Sequence, residues 1–402
     1  MRPLRFIHAA DLHLDSPFTG MKGLPEDRRD LLRNSTFEAF DRLVSYAAES
    51  KPDFLLIAGD LYDGEDRSIR AQHRFRTGMQ KLSDAGIPVF ISHGNHDHLS
   101  GSWTRFGLPG NVRVFDEEVE QFTLEAAGHQ VRITGFSYPK RHVAERMIER
   151  YPKAAGDSII HIGMLHGSLE GDTAHAVYAP FRKDELLAKG YDYWALGHIH
   201  HRQVLHRNPH IVYPGNLQGR HRNESGPKGF YDVTLDGPET VLRFIPAGPV
   251  VFDSVQVDGR EARDLGDVLA LCAAAADRHG EQSGAGVLDF TLINAPEFVR
   301  SDMAEEIAEA LRAEIPADRD PFLWVSKFRI ERPAGAAELS GLGAKVSEML
   351  ESWDEASWQE ALGEVYRHIR GGRYLGMLSP SLIEEIKDEA QKKLKDELGA
   401  GG

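Results

Sequence analysis

Cysteine is almost absent from this sequence. Cys272 is the one thiol in 402 residues, so no disulfide can form within the chain. No apolar stretch is long enough to cross a bilayer, and Met1-Arg2-Pro3-Leu4-Arg5 passes directly into an apolar run, which leaves no room for a signal peptide. These features set the expectation of a cytoplasmic protein without membrane contact. A P-loop, a serine-centred nucleophile elbow and a Rossmann glycine fingerprint are also lacking, so nucleotide or ester hydrolysis would have to use other chemistry. There is no internal repeat and no long low-complexity tract. Positive charge is short as well: Lys+Arg at 47 against Asp+Glu at 62 leaves a net charge of -15, which by itself does not suggest a nucleic-acid binder. With 41% hydrophobic residues the chain can nevertheless bury a substantial core, and its length suggests two or three folding units.

What is present is a set of five short polar pieces, each placed after an apolar run that reads as a buried strand. Phe6-Ile7-His8-Ala9-Ala10 leads to Asp11-Leu12-His13, and Phe54-Leu55-Leu56-Ile57-Ala58 leads to Gly59-Asp60. Ile87-Pro88-Val89-Phe90-Ile91 precedes Gly94-Asn95-His96-Asp97, a fourth run from Ile159 to Leu165 ends on His166, and Tyr193-Trp194-Ala195-Leu196 runs into Gly197-His198-Ile199-His200. Polar side chains at strand ends gather where loops converge. The glycines Gly59, Gly94 and Gly197 precede these residues, where a missing Cβ lets the chain approach an ion closely; each is also an ordinary turn residue.

Asp oxygens, one Asn oxygen and several imidazoles, with no thiolate, suit a borderline divalent cation, with manganese the first choice and iron or zinc fitting the same donors. Two such ions roughly 3.5 to 4 Å apart can activate water, grip phosphoryl oxygens and stabilise a leaving oxygen. A carboxylate must then bridge them, for which Asp60 is the natural residue, and His96 is the natural proton donor. The bland alternative is a set of satisfied polar groups at strand ends. Further histidines lie nearby, at His8, His93, His98, His161, His175 and His201, of which His98 and His201 rank highest as additional members of the site. Such neighbours are more often supporting or surface groups than ligands.

The five pieces in this order resemble the calcineurin-like metallophosphoesterase superfamily and, within it, the SbcD-type DNA repair exonucleases, with the YhaO-like branch nearest. Tyr213-Pro214-Gly215-Asn216-Leu217-Gln218-Gly219-Arg220, followed by Gly226-Pro227-Lys228-Gly229-Phe230, is similar to the stretch that closes the nuclease core there. The likeness is good over about the first 250 residues and organisational beyond them. It implies that Asp11, His13, Asp60 and His200 hold one metal ion, that Asp60, Asn95, His166 and His198 hold the other, and that Asp97 orients the His96 imidazole. After His13-Leu14 the better-known nucleases have Gly, whereas this chain has Asp15-Ser16-Pro17-Phe18, a departure that bears on cleavage polarity and product size.

The fold expected is α/β: a metallophosphoesterase layered sandwich at 1–248, a small α+β capping domain at 249–333 and a helical tail at 334–402. Gly248-Pro249 marks the first boundary, and Pro333-Ala334-Gly335-Ala336-Ala337 opens the tail, which is broken at Gly371-Gly372 and restarts near Ser379-Pro380. Ile383, Ile386, Ala390, Leu394 and Leu398 repeat at helical spacing, a stripe that could dock on its own protein or on a partner helix. The resemblance favours an SbcC-like SMC-family ATPase as that partner, and a homodimer is compatible with it.

DNA would need a local basic surface, for which Arg70, Arg74, Arg76, Lys140, Arg141 and Arg202 are candidates and Arg220, His221 and Arg222 the best ones. Three functions stay open: a manganese-dependent DNA exonuclease or endonuclease, a phosphodiesterase or phosphatase for a small nucleotide or phosphoprotein, and a non-catalytic repair scaffold. Against phosphoprotein, Asp60 is followed by Leu61-Tyr62-Asp63-Gly64-Glu65, without the Arg-Gly that protein phosphatases place there.

Overall fold

A computed structural model of the chain describes residues 2–18, 24–64, 67–101, 106–156, 158–171, 178–237, 239–316, 319–332, 342–366, 382–383, 386–387 and 389–390. In chain order the elements are β1 (Leu4–Ala9), α1 (Glu26–Ser50), β2 (Phe54–Ala58), α2 (Ile69–Asp84), β3 (Val89–Ser92), β4 (Val112–Val114), β5 (Glu120–Ala126), β6 (His129–Gly135) and β7 (Ile160–His166). There follow α3 (Lys183–Leu187), β8 (Tyr193–Gly197), β9 (Gln203–Arg207), β10 (His210–Tyr213), β11 (Gly229–Asp236), β12 (Glu239–Pro246) and β13 (Val250–Asp258). The last are α4 (Leu265–Ser283), β14 (Ala285–Ile293), α5 (Ala304–Glu314), β15 (Leu323–Ile330), α6 (Leu342–Ser352) and α7 (Glu355–Tyr366).

Two six-stranded sheets, ordered β12-β11-β1-β2-β3-β4 and β5-β6-β7-β8-β10-β9, form the layered α/β sandwich expected from the sequence. Both are mixed. Strands β1 to β4 are parallel, as are β6, β7, β8 and β10, while β11, β12, β5 and β9 add antiparallel edges. The near-continuous apolar runs of the central strands follow from burial on both faces. In β2, Leu55 and Ile57 pack with Phe40, Val44, Phe75 and Met79 of the two long helices. Phe54, Leu56 and Ala58 point the other way, into a core shared with Ile133, Ile162, Met164 and Tyr193 of the second sheet. Phe54 stacks on Phe6 at 5.0 Å between ring centroids, and each such buried ring contributes about 1.5–3 kcal/mol. Helix α2 starts cleanly because the Ser68 hydroxyl accepts from the Ala71 amide at 3.0 Å.

Strands β13, β14 and β15 form a third sheet in that order, and the expected strand-helix alternation from 250 to 330 is present. By compactness the chain forms two units: one takes in Met1–Val255, Ala273–Asp289 and Arg312–Ser326, the other Gln256–Cys272, Phe290–Leu311 and Lys327–Gly402. Within the first, Val250, Phe252, Val287, Phe322 and Trp324 bury their side chains with Phe18, Leu24 and Leu32. In the second unit Phe290 stacks on Phe328 at 6.5 Å, and the Trp353 and Trp358 rings meet edge to face at 5.1 Å. Helices α6 and α7 accord with a helical tail. The segment 333–337, Gly371-Gly372, Ser379-Pro380, Leu394 and Leu398 lie outside the described residues, as does His175. Among the described residues no helix is long and apolar enough to cross a membrane.

Candidate metal centre

The sheet order brings distant residues together. Asp11 follows β1, Asp60 follows β2, Asn95 and His96 follow β3, His166 ends β7, and His198 and His200 follow β8. Strands β1, β2 and β3 are parallel neighbours in one sheet, β7 and β8 in the other, so these ends lie together. Asp11, His13, Asp60, Asn95 and His166 are all buried.

The loops are held in an unusual backbone conformation. Asp11, His13, Asp60 and His198 have φ values of 52°, 43°, 48° and 97°, a left-handed region that costs a non-glycine residue about 1–3 kcal/mol and recurs at functional sites. Hydrogen bonds from Asp11 N to Gly59 O (3.1 Å), His13 N to Asp60 O (3.0 Å) and Leu14 N to Leu61 O (2.9 Å) hold the first two loops to each other. A Cβ on Gly59, at φ 87°, would run into the His166 ring, and one on Gly94 would run into both Asp60 Oδ1 and His166 Nε2. Both positions need glycine because the side chains of the site fill the space.

Two groups of donor atoms result, joined by one carboxylate. In the first, His13 Nε2 and His200 Nε2 face each other at 3.0 Å, with Asp60 Oδ2 3.7 Å from His13 Nε2 and Asp11 Oδ1 4.0 Å from His200 Nε2. In the second, Asn95 Oδ1 lies 3.1 Å from both His166 Nε2 and His198 Nδ1, and Asp60 Oδ2 is 3.4 Å from His166 Nε2. Asp60 Oδ2 therefore serves both groups. Asp11 accepts the His198 amide at 3.0 Å and also approaches His166 Nδ1 at 3.9 Å.

The far sides of the rings face acceptors. His13 Nδ1 is 3.0 Å from Asp63 Oδ1, His200 Nδ1 is 2.6 Å from Glu224 Oε1, and His166 Nδ1 is 3.1 Å from the Ala58 carbonyl oxygen. A proton placed there would leave each Nε2 free to take a cation. The oxygen and imidazole donors gathered around the 3.0 Å His13–His200 contact and around Asn95 fit a divalent metal ion at each group.

The electrostatics agree. Burial lowers the His13 pKa to about 3, helped by the Arg220 charge, which keeps the ring neutral and able to coordinate. Burial also opposes charge on His166, but the Asp60 and Asp11 carboxylates outweigh it and raise its pKa to about 9. Without a metal, the imidazole itself carries the positive charge that this pair of carboxylates demands. Burial pushes the Asp11 carboxyl up, with Asp60 adding to the shift. For Glu224 the His200 and Arg220 partners overcome burial and hold the carboxyl well below its ordinary range.

All seven expected ligands are thus gathered in one place, with His96 beside them: its ring stands 5.0 Å from that of His13, and its amide donates to Asp60 Oδ1 at 2.9 Å. Two other expectations need correction. Asp97 does not orient the His96 ring. Its carboxylate takes His93 Nδ1 (2.8 Å), Gly94 N (2.8 Å) and Leu61 N (3.0 Å), fastening the loops after β2 and β3 to each other, while His96 Nδ1 lies 3.3 Å from the Asp63 carbonyl oxygen. Arg220 is not an open basic contact for DNA either, because its side chain is only 14% exposed and is ion-paired with Asp63. His221 is half exposed and 3.1 Å from Glu224, and Arg222 is exposed. Of the other basic candidates, Arg70 bonds to Asn34, Arg74 pairs with Asp41, and Arg202 lies over the Phe244 ring at 3.7 Å.

Among the extra histidines, His93 is fastened to the site through Asp97, while His98 faces Ser100 Oγ at 3.0 Å and His201 is exposed. His8 bonds Tyr193 OH at 3.0 Å and Leu196 O at 3.1 Å, and burial lowers its pKa to about 3, marking a neutral core group. Nothing in the sequence marks Asp63 and Glu224 as partners of ligand histidines. Those histidines, His13 and His200, lie 50 and 24 residues away, and no local pattern signals such a pairing.

Parallel strands of two facing sheets that deliver oxygen and imidazole donors to one carboxylate-bridged pair of sites define a metal-dependent phosphoester hydrolase. A family model described as calcineurin-like phosphoesterase matches residues 4–202. The uncharacterized metallophosphoesterase YhaO of Bacillus subtilis (strain 168) is 36% identical over 402 residues, covering 98% of this chain and 98% of its own. More distant relatives are DNA double-strand break repair proteins named Mre11. That of Aeropyrum pernix is 28% identical over 268 residues, covering 61% of this chain and 62% of the relative. That of Methanocaldococcus jannaschii is 26% identical over 248 residues, covering 58% and 63%. The chain belongs to the calcineurin-like phosphoesterase family, whose members use divalent metal ions, and is similar along nearly its whole length to YhaO.

Proposed function

We propose that this phosphoesterase is a two-metal DNA nuclease, acting as a 3'-5' exonuclease, an endonuclease or both, and that it works in DNA repair with an SbcC-like SMC-family ATPase held by its C-terminal helices. The observation that carries the reading is the pair of donor groups sharing Asp60, an arrangement suited to an in-line attack on a phosphodiester. That the Mre11 relatives are named for DNA double-strand break repair supports DNA as the substrate.

Asp11, His13, Asp60 and His200 would hold one ion, and Asp60, Asn95, His166 and His198 the other, with manganese the first choice. When bound, the ions supply activation of the attacking water and neutralisation of phosphoryl charge. His96 would give the proton in its doubly protonated form: Nδ1–H is held by the Asp63 carbonyl oxygen, 3.3 Å away, and Nε2–H passes its proton to the leaving oxygen, which leaves the neutral imidazole. Asp97 serves that step indirectly, by holding the loops that carry Asp60 and Asn95.

Purified protein given Mn2+ should degrade end-labelled duplex DNA, and His96→Ala should not. Turnover of a chromogenic phosphodiester with DNA untouched would instead favour the second reading, a small-nucleotide phosphodiesterase, for which a cavity of about 430 Å³ bordered by Asp15, Tyr62, Asp63, Arg67 and Arg141 offers room beside the centre. Truncation after Pro333 should abolish co-purification with the ATPase and spare hydrolysis; unchanged co-purification would remove the partner from the account.

A further inference from the structure

We propose that Arg220 is a positioning residue that locks two carboxylates, Asp63 and Glu224, and through them fixes the His13 and His200 rings so that both Nε2 atoms face one ion. The proposal rests on the assignment of His13 and His200 as ligands of the same metal. It adds a role for a residue that no ligand pattern includes.

The geometry is a closed ring of contacts. One guanidinium nitrogen of Arg220 is ion-paired with Asp63 Oδ1, the same oxygen that lies 3.0 Å from His13 Nδ1. The other terminal nitrogen is 3.8 Å from Glu224 Oε1 and 3.4 Å from His200 Nδ1. The Arg220 amide donates to Glu224 Oε2 at 2.7 Å, and Asn216 Nδ2 donates to the same oxygen at 2.8 Å. Ser16 Oγ closes the other side of Asp63 at 3.1 Å, and Lys228 Nζ holds the His200 carbonyl oxygen at 2.8 Å. A planar guanidinium with fixed donor directions can hold two carboxylates in one arrangement, which a single ammonium cannot do.

This ring also accounts for a second cluster of possible donors. His13, Asp63 and His96 come close enough together to suggest a further cation position. The Arg220 guanidinium already supplies the positive charge there, paired directly with Asp63. The pairing of each carboxylate with a ligand histidine is the arrangement whose loss typically weakens metal binding about 10- to 100-fold.

The test is Mn2+ binding to metal-stripped, full-length protein by isothermal titration calorimetry, with melting in EDTA as the folding control. Wild type should bind two ions per chain. Arg220→Met and Arg220→Lys should keep one ion at wild-type affinity and bind the other about 10- to 100-fold more weakly, lysine failing to rescue. Because the arginine acts through the carboxylates, Arg220→Met combined with Asp63→Asn should weaken that ion less than the two single effects multiplied. Both ions bound by Arg220→Met within twofold of wild type, or full rescue by lysine, would overturn the proposal while leaving the ligand assignment intact. A wild type that binds no Mn2+ would overturn the ligand assignment and this proposal with it. Should the arginine variants fail to fold, Asp63→Asn and Glu224→Gln decide, and wild-type affinity for both ions in these variants overturns the proposal.

Discussion

Strand β1 has a charge cluster at each end, and the two are built on opposite principles. At its start, Arg5 forks onto Asp232 at 2.9 and 2.6 Å, Tyr46 OH donates to the same carboxylate at 2.5 Å, and Arg243 adds a fourth contact at 3.0 Å. Every charge there has its partner, the backbone is ordinary strand, and Asp232 is 4% exposed. At its exit, Asp11, His13, Asp60 and His200 gather in loops where Asp11, His13 and Asp60 take left-handed backbone, and two imidazole nitrogens face each other at 3.0 Å. A bidentate guanidinium-carboxylate pair satisfies itself and stabilises the fold. The exit cluster instead gathers buried oxygen and imidazole donors that fit divalent cations, which makes it the proposed working end.

The largest expected break in this comparison comes from Asp60→Asn. Losing the shared carboxylate removes several kcal/mol of transition-state stabilisation, so Mn2+-dependent hydrolysis of a chromogenic phosphodiester should fall about 1000-fold or more. Melting in EDTA should show a loss of stability as well, because without a metal Asp60 is the partner of the charged His166 ring: burial opposes the carboxylate, but His166, His13 and His96 hold it well below its ordinary range. What separates the two ends is hydrolysis, and wild-type activity in Asp60→Asn would erase the distinction. His96→Ala should cost about 100-fold in the same assay while calorimetry still finds two ions bound, because His96 acts on a proton and not on the metal.

The start of β1 gives the smaller and opposite result. Asp232→Asn should lower stability by about 2 kcal/mol, measured by denaturant unfolding, with hydrolysis unchanged. Burial would raise the Asp232 carboxyl pKa, but Arg5, Tyr46 and Arg243 hold it below its ordinary value. A depressed folded-state pKa means the stabilisation is fully present above the unfolded carboxylate pKa of about 4 and is lost as pH falls through the folded value. The gap between wild type and Asp232→Asn should therefore be constant from about pH 8 to 6 and narrow below about pH 4.

The same contrast separates what is legible in the sequence from what is not. The strands carrying the ligands are legible because burying Asp, Asn or His at the end of a long apolar run is costly unless an ion or a partner offsets it, and β1, β2, β3, β7 and β8 all end that way. The strand-helix alternation in residues 250 to 330 is legible from the spacing of its apolar residues. Arg220 reads as a DNA contact because an exposed cation and one paired with Asp63 look alike when the partner is 157 residues distant. Asp97 reads as the partner of His96 because the two adjoin in sequence, yet in space the carboxylate meets His93, four residues back. The core that Phe18, Leu24 and Leu32 share with Val287, Phe322 and Trp324 is not legible, because no local composition change announces a contact between residues so far apart in the chain.

Whether the exit of β1 holds two ions sharing Asp60 is decided by a crystal structure of the Mn2+-loaded protein, with anomalous data collected at the manganese edge. The expected result is two anomalous peaks, one contacting His13 and His200 and the other contacting Asn95, His166 and His198, with Asp60 a ligand of both. A single peak, or two peaks without Asp60 between them, would contradict it.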